Sequence, residues 1–315
     1  MNKPNKSLIY PLFIPNEACP GGCIYCDQSK ISHAGAFDLE QAQEDVQAFI
    51  RRNPNRAKEV AFYGGTFTAL PVSRQEALLE GIHALLDDDS SIRISTHPLY
   101  IDDEVLERCK AYRVKTIELG IQDFCELPLQ KSGRNYSTAQ ALAAAHKVRN
   151  AGFILGLQLM PGMPGSDAET IKENHRLLRQ VKPDLLRLYP LVVIRGTPLQ
   201  QIYQRGEYTP LSLPEAVRIC ADYAELCEAE GIRIIKYGLP SNLEPQDYIA
   251  GPFHPAFGEL VKQELLIRKL NKYPEQLQSL GIKEEQLLRA HACQYLQTKR
   301  PKTCKMTLHN QSQRS

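Results

Sequence analysis

"STAQALAAAHKVRNAGFILGLQLMPG", residues 137–162, holds a helix, a strand and a loop in that order. Ser137 and Thr138 offer an N-terminal cap, small apolar residues recur at helical spacing, and Gly152 supplies the stop. The run "GFILGLQLM" (152–160) is then almost continuously apolar, as a strand covered on both faces requires. The same rhythm repeats along the chain. Strand-like runs appear at "SLIYPLFI" (7–14), "EVAFYG" (59–64), "SIRIST" (91–96), "KTIELGI" (115–121) and "DLLRLYPLVVI" (184–194). Amphipathic helical patterns lie between them at 38–53, 73–88, 102–113 and 167–181. Six strand–helix units of this kind make a parallel α/β sheet, either an open six-stranded barrel or a doubly wound sheet. Either arrangement puts a functional site at the carboxyl ends of the strands.

The loops at those ends carry the unusual residues. They read "EACPGGCIYCDQ" (17–28), "YGGTFTALP" (63–71), "STHPLY" (95–100), "GIQDF" (120–124) and "MPGMPG" (160–165). Glycines alone would mark turns. Their convergence with three cysteines in eight residues points to chemistry.

The rest of the composition restricts the options. A net charge of +2 on 315 residues gives no field over the whole molecule, so any polyanion contact must be local. The N-terminal apolar run is short and broken by Pro11 and Pro15, which fits neither a signal peptide nor a membrane span. The expectation is a cytoplasmic chain with no membrane partner, in which thiols stay reduced. Cys220 and Cys227, seven residues apart on the helical run 213–231, read as buried core thiols. Cys293 and Cys304 lie in a polar tail without ligand spacing. The organisation expected is an α/β domain over 1–240 and a helical extension over 241–315. That extension contains "GPFHPAFGELVKQELLIRKL" (251–270), a second helical stretch (274–296) and a basic tail from Lys299. His254 and Glu259 are candidates to reach the barrel mouth and act on substrate, with a loop histidine held by packing as the favoured reading.

Three thiols need an explanation that four would not. A structural zinc site takes four closed ligands, and no second cysteine pair is present at suitable spacing. A thioredoxin-type pair would use Cys23 and Cys26 and leave Cys19 idle. A [4Fe-4S] cluster held by three thiolates leaves one iron for a small chelating ligand. Gly21 and Gly22 let the backbone fold round such a cluster, and Pro20 stiffens the turn. Cys19, Cys23 and Cys26 are therefore the metal-ligand candidates, with zinc and unligated thiols as the alternatives.

The spacing C-x3-C-x2-C in "CPGGCIYC" (19–26) resembles that of the radical S-adenosylmethionine (radical SAM) superfamily. The resemblance implies an open six-stranded (β/α)6 partial TIM barrel with a C-terminal helical extension. It further implies an S-adenosyl-L-methionine cofactor chelated to the open iron, a 5′-deoxyadenosyl radical, and an electron donor of flavodoxin or ferredoxin type. "FYGGTFTALP", "IELGIQDF", "KSGRNYSTAQAL", "LQLMPGMPGSDAET" and "RGTPLQQIYQRGEYTPL" resemble the radical domain of the Elongator catalytic subunit. They resemble oxygen-independent coproporphyrinogen III oxidase more loosely. By that resemblance Gly64, Gly65 and Thr66 contact the methionyl amino group, and Gln122 and Arg134 face the ribose and carboxylate. Gln158 lies nearby and Tyr25 flanks the adenine. Glu118 is expected to pair with Arg134 or another strand-end group. No residue is assigned a direct catalytic role.

Two departures qualify the likeness. "STHPLY" stands where related chains carry an arginine and an acid, so Ser95, His97 and Leu99 change the third loop. Roughly 75 residues follow the barrel, too few for an acetyltransferase domain. The functional expectation is a radical SAM enzyme acting on RNA (tRNA) without the acetyl-transfer half. A coproporphyrinogen oxidase-like tetrapyrrole enzyme and a non-catalytic iron–sulfur protein are the alternatives.

Overall fold

The structure is a computed structural model that describes residues 7–14, 17, 19, 21–27, 30, 35–239 and 243–272. Seven strands form one parallel sheet in the order β1 (Leu8–Phe13), β2 (Lys58–Tyr63), β3 (Ser90–Thr96), β4 (Val114–Gln122), β5 (Ile154–Leu159), β6 (Leu185–Leu188) and β8 (Arg233–Tyr237). Strands β1 and β8 are the two edges, so the sheet stays open. Strand β7 (Val193–Ile194) pairs antiparallel with β9 (Tyr248–Ala250) in a separate ribbon. The six expected strands are present with one correction and one addition. The run 184–194 is interrupted before Val193, where Tyr189, Pro190 and the following residues leave the sheet; proline has no N–H to give a ladder. The addition is β8, which extends the sheet beyond β6.

Helices α1 (Leu39–Arg52), α2 (Val72–His83), α3 (Asp103–Ala111), α4 (Glu126–Lys131), α5 (Thr138–Asn150), α6 (Ala168–Val181), α7 (Pro198–Gln204) and α8 (Leu213–Glu230) follow the strands. Their starts are set by side chains that accept the first free N–H groups. Ser137 and Gln140 form a reciprocal capping box at α5, Ser212 and Glu215 another at α8. Cys220 and Cys227 lie buried on α8, as their spacing predicts, and burial raises both thiols. Helix α9 (Phe257–Lys272) spans the junction of two compact units, Met1–Val261 and Lys262–Ser315. The second helical stretch, Cys293, Cys304 and the basic tail fall outside the described residues. No helix among the described residues is long and apolar enough to cross a membrane.

The two faces of the sheet have opposite chemistry. Val60 and Phe62, Ile92 and Ile94, Ile117 and Leu119, and Leu155 and Leu157 are buried on the helical side. The alternate positions carry Glu59, Arg93, Glu118, Gln158 and Arg187 inward. Tyr63 on β2 accepts a hydrogen bond from Arg187 on β6 at 2.6 Å. Four strand steps separate these positions, about 19 Å in a flat sheet. Two side chains meet across that span only because the sheet curls into a half-barrel.

Candidate functional site

The barrel mouth opens as a cavity of ≈ 310 Å³. All ten site residues expected from the sequence line it: Cys19, Cys23, Cys26, Tyr25, Gly64, Gly65, Thr66, Gln122, Arg134 and Gln158. They come from loops far apart in the chain, and specific backbone contacts bring them together.

The thiol loop is pinned on two sides. Ile24 donates its N–H to the Ser132 carbonyl at 3.2 Å and accepts from the Leu199 N–H at 2.8 Å. Gly22 (φ 92°) and Gly133 (φ 72°) face each other where the loop crosses the end of α4. A Cβ on Gly133 would overlap the Gly22 carbonyl oxygen. No side chain fits there. Gly64 (φ 99°) is restricted likewise, since its Cβ would come within 3.1 Å of the Ile14 backbone. None of the three cysteines is in a disulfide. Among the described residues no three Cys, His, Asp or Glu side chains converge as a single-ion site. The three thiols all line the cavity.

Arg134 is the centre of the site's electrostatics. It is 6% exposed, and no carboxylate among the described residues pairs with it. Its guanidinium donates to the Gly120 carbonyl, to Tyr136 Oη at 3.2 Å, and to Cys23 Sγ and Tyr25 Oη at 3.4 Å each. Burial opposes the charge, but Tyr25, Tyr136 and Cys23 outweigh it and hold the pKa above the usual arginine value. A buried cation solvated only by neutral oxygens and a thiol is a standing demand for an anion. Gln122 makes a second such demand. It ends β4 in the left-handed region (φ 65°), which costs a non-glycine residue about 1–3 kcal/mol. Its amide oxygen Oε1 is buried without a hydrogen-bond partner among the described residues.

Gln158 and Glu118 belong to a deeper layer. Glu118 is fully buried and does not pair with Arg134. Arg187 binds it through Nε at 2.6 Å and Nη2 at 3.0 Å, and Arg93 through Nη1 at 2.6 Å. Tyr63 Oη donates to the same carboxylate at 3.1 Å, and Gln158 Nε2 donates to it and to Ser95, both at 3.1 Å. Against burial, Arg187 and then Arg93 keep Glu118 below the usual carboxylate range. Arg93 also pairs with Glu59, which Thr116 supports at 2.8 Å. This network has no local sequence signature, because each member looks like an ordinary polar strand residue. Gly156 makes room for it: a Cβ there would sit 2.8 Å from Glu118 Cγ.

His97 occupies the third-loop position that departs from the family pattern. Its Nδ1 accepts the Leu99 N–H at 3.2 Å, and its ring stands edge-on to Tyr136 at 5.1 Å. Burial and then Arg134 depress its pKa from 6.5 to about 3, so the imidazole is neutral. A depressed folded-state pKa gives stability that is present above pH 6.5 and lost as pH falls towards 3. Urea titrations of wild type and His97→Gln should therefore show the wild type losing on the order of 1 kcal/mol more than the variant between pH 7 and pH 5. Parallel losses would mean that His97 is not buried neutral. His254, by contrast, accepts the Ala256 N–H at 3.1 Å and is not part of the cavity wall.

Sequence comparisons place the chain among known proteins. The chain is 28% identical over 203 residues to a tRNA uridine(34) acetyltransferase of Methanocaldococcus jannaschii, a match covering 58% of this chain and 37% of that one. It is 26% identical over 213 residues to the heme chaperone HemW of Lactococcus lactis, covering 65% and 54% respectively. The chain thus spans between about a third and a half of these relatives' lengths. Among solved structures, Elp3 of Methanocaldococcus infernus with an N-terminal deletion superposes with a TM-score of 0.67 at 20% identity, over 84% of this chain and 64% of that one. That likeness concerns the fold. Residues 183–266 match the Radical_SAM C-terminal domain. Residues 13–178 match the radical SAM superfamily, and as that stretch takes in the thiol loop, β2 to β5 and more than half of the sequence, the chain belongs to this superfamily.

Proposed function

We propose that Cys19, Cys23 and Cys26 bind a [4Fe-4S] cluster, and that S-adenosyl-L-methionine fills the cavity beside it. The observation that carries this reading is Arg134, a buried cation with no carboxylate partner among the described residues, set against Cys23 in the same cavity as an unpaired Gln122 amide. When bound, the reduced cluster supplies the electron that splits S-adenosylmethionine into methionine and a 5′-deoxyadenosyl radical. The chain's own residues do the positioning. Arg134 takes the methionyl carboxylate in a charge-assisted hydrogen bond. Gly64 and Gly65 let the backbone approach the amino group beside Thr66. Gln122 offers its free amide end to a ribose hydroxyl, Gln158 offers the oxygen that Glu118 and Ser95 leave unused, and Tyr25 walls the adenine. Leu191, Val192 and Ile194 keep the cavity wall apolar and exclude water from a reactive intermediate.

The substrate reading is RNA, specifically tRNA, by similarity to the tRNA uridine(34) acetyltransferase, with an electron donor of flavodoxin or ferredoxin type. The acetyl-transfer half of that relative's activity is not claimed. HemW similarity favours a second reading, a haem-handling protein that does not turn over. Anaerobic reconstitution with iron and sulfide, followed by dithionite and S-adenosylmethionine, separates the two. The first reading expects 5′-deoxyadenosine, and its absence from fully loaded protein favours the second.

A further inference from the structure

Arg187, Tyr189 and Lys236, on the β6–β8 side of the cavity, have no part in the cofactor assignment. Arg134, Arg187 and Lys236 line the cavity, and no aspartate or glutamate among the described residues does. Two of these cations already have a role. Arg134 is assigned the methionyl carboxylate, and Arg187 is bound by Glu118. Interior charges Glu59 and Glu118 are matched by Arg93 and Arg187. Lys236 is the surplus. It sits on β8 directly beside Arg187 in the strand register, with no hydrogen bond or ion pair among the described residues. Tyr189 adds a donor. Its hydroxyl oxygen accepts from Arg187 Nη1 at 3.3 Å, which leaves its proton for the cavity, and burial keeps the phenol protonated. An ammonium and a phenol proton on one side of a half-buried cavity without carboxylates form an anion seat.

We propose that Lys236, with Tyr189 and under the field of Arg187, binds an anionic oxygen group of the substrate, a phosphate or a carboxylate. The proposal rests on the radical SAM reading for what occupies the rest of the cavity. It assigns substrate class to the β6–β8 side of the barrel and cofactor to the β1–β5 side. Lys236 acts here as a specificity residue, holding the substrate by its charged group.

Calorimetry on cluster-loaded protein tests this in two steps. Titration with S-adenosylmethionine comes first, and its failure counts against the cofactor reading alone. Uridine 5′-monophosphate, uridine and glutarate are then titrated separately. At least one of the two anions should bind about tenfold or more tighter than uridine, the scale of one charge-assisted hydrogen bond. Preference for the monophosphate identifies a nucleotide phosphate as the source, and preference for glutarate identifies a small carboxylic acid. Lys236→Met should erase the preference for anion over uridine, Lys236→Arg should restore most of it, and added salt should weaken it. Equal binding of charged and uncharged probes, no binding of either anion, or an undiminished preference in Lys236→Met overturns the proposal.

Discussion

Cys23→Ala protein, reconstituted anaerobically, should retain background iron only and release no 5′-deoxyadenosine above the level without enzyme. The expected loss is complete because a cluster with two thiolate ligands has no third anchor, and because Cys23 is the thiol that faces Arg134 at 3.4 Å. Removing it also strips the buried guanidinium of its sulfur contact. Cys125→Ala is the matched control. That thiol lies outside the cavity, donates to the Thr170 carbonyl at 3.7 Å, and is raised to about 12, chiefly by burial. It should keep full iron content and full turnover. Iron analysis and product chromatography read both variants, and a Cys23→Ala protein that stays brown and active would refute the ligand assignment.

The second large effect concerns stability. Glu118→Ala should lower the free energy of unfolding by about 3–5 kcal/mol, since it leaves the buried Arg187 guanidinium on β6 uncompensated and strips Arg93 on β3 of one of its two carboxylates. Arg93 retains Glu59, but Arg187 has no other carboxylate partner among the described residues. Glu118→Gln should fall between wild type and alanine, because it keeps hydrogen-bond acceptance and gives up the charge. Urea midpoints with unchanged slopes would measure this, and a cost below about 1 kcal/mol for the alanine variant would mean that water or a relaxed rotamer replaces the carboxylate.

The thiol loop and the strand-end glycines were legible because their information is local. Spacing within eight residues puts three thiols on one loop, and periodicity over fifteen identifies a helix. β8 was missed for a physical reason. "RIIKY" (233–237) is a short edge strand, half-exposed along its length, and follows α8 after only two residues, so nothing in its pattern separates it from a helix tail. The break before Val193 was hidden by continuous apolar character on both sides of Pro190. The interior ion network was hidden more deeply. Glu59, Arg93, Glu118 and Arg187 alternate with apolar neighbours just as solvent-facing residues would, and only the curl of the sheet converts that alternation into a charged interior. Lys236 was invisible for both reasons at once.

One contact ties distant parts of the chain together. The Ile24 carbonyl, between two of the cysteines, is held by the backbone of Leu199 at the start of α7. Residues 13–178 therefore make a poor stand-alone fragment: trimmed there, the chain would lose a clasp on its sulfur-bearing turn along with β6, β7 and β8. Anyone seeking a minimal version of this protein has to cut beyond Tyr237, because the far edge of the half-barrel helps shape the mouth at the near one.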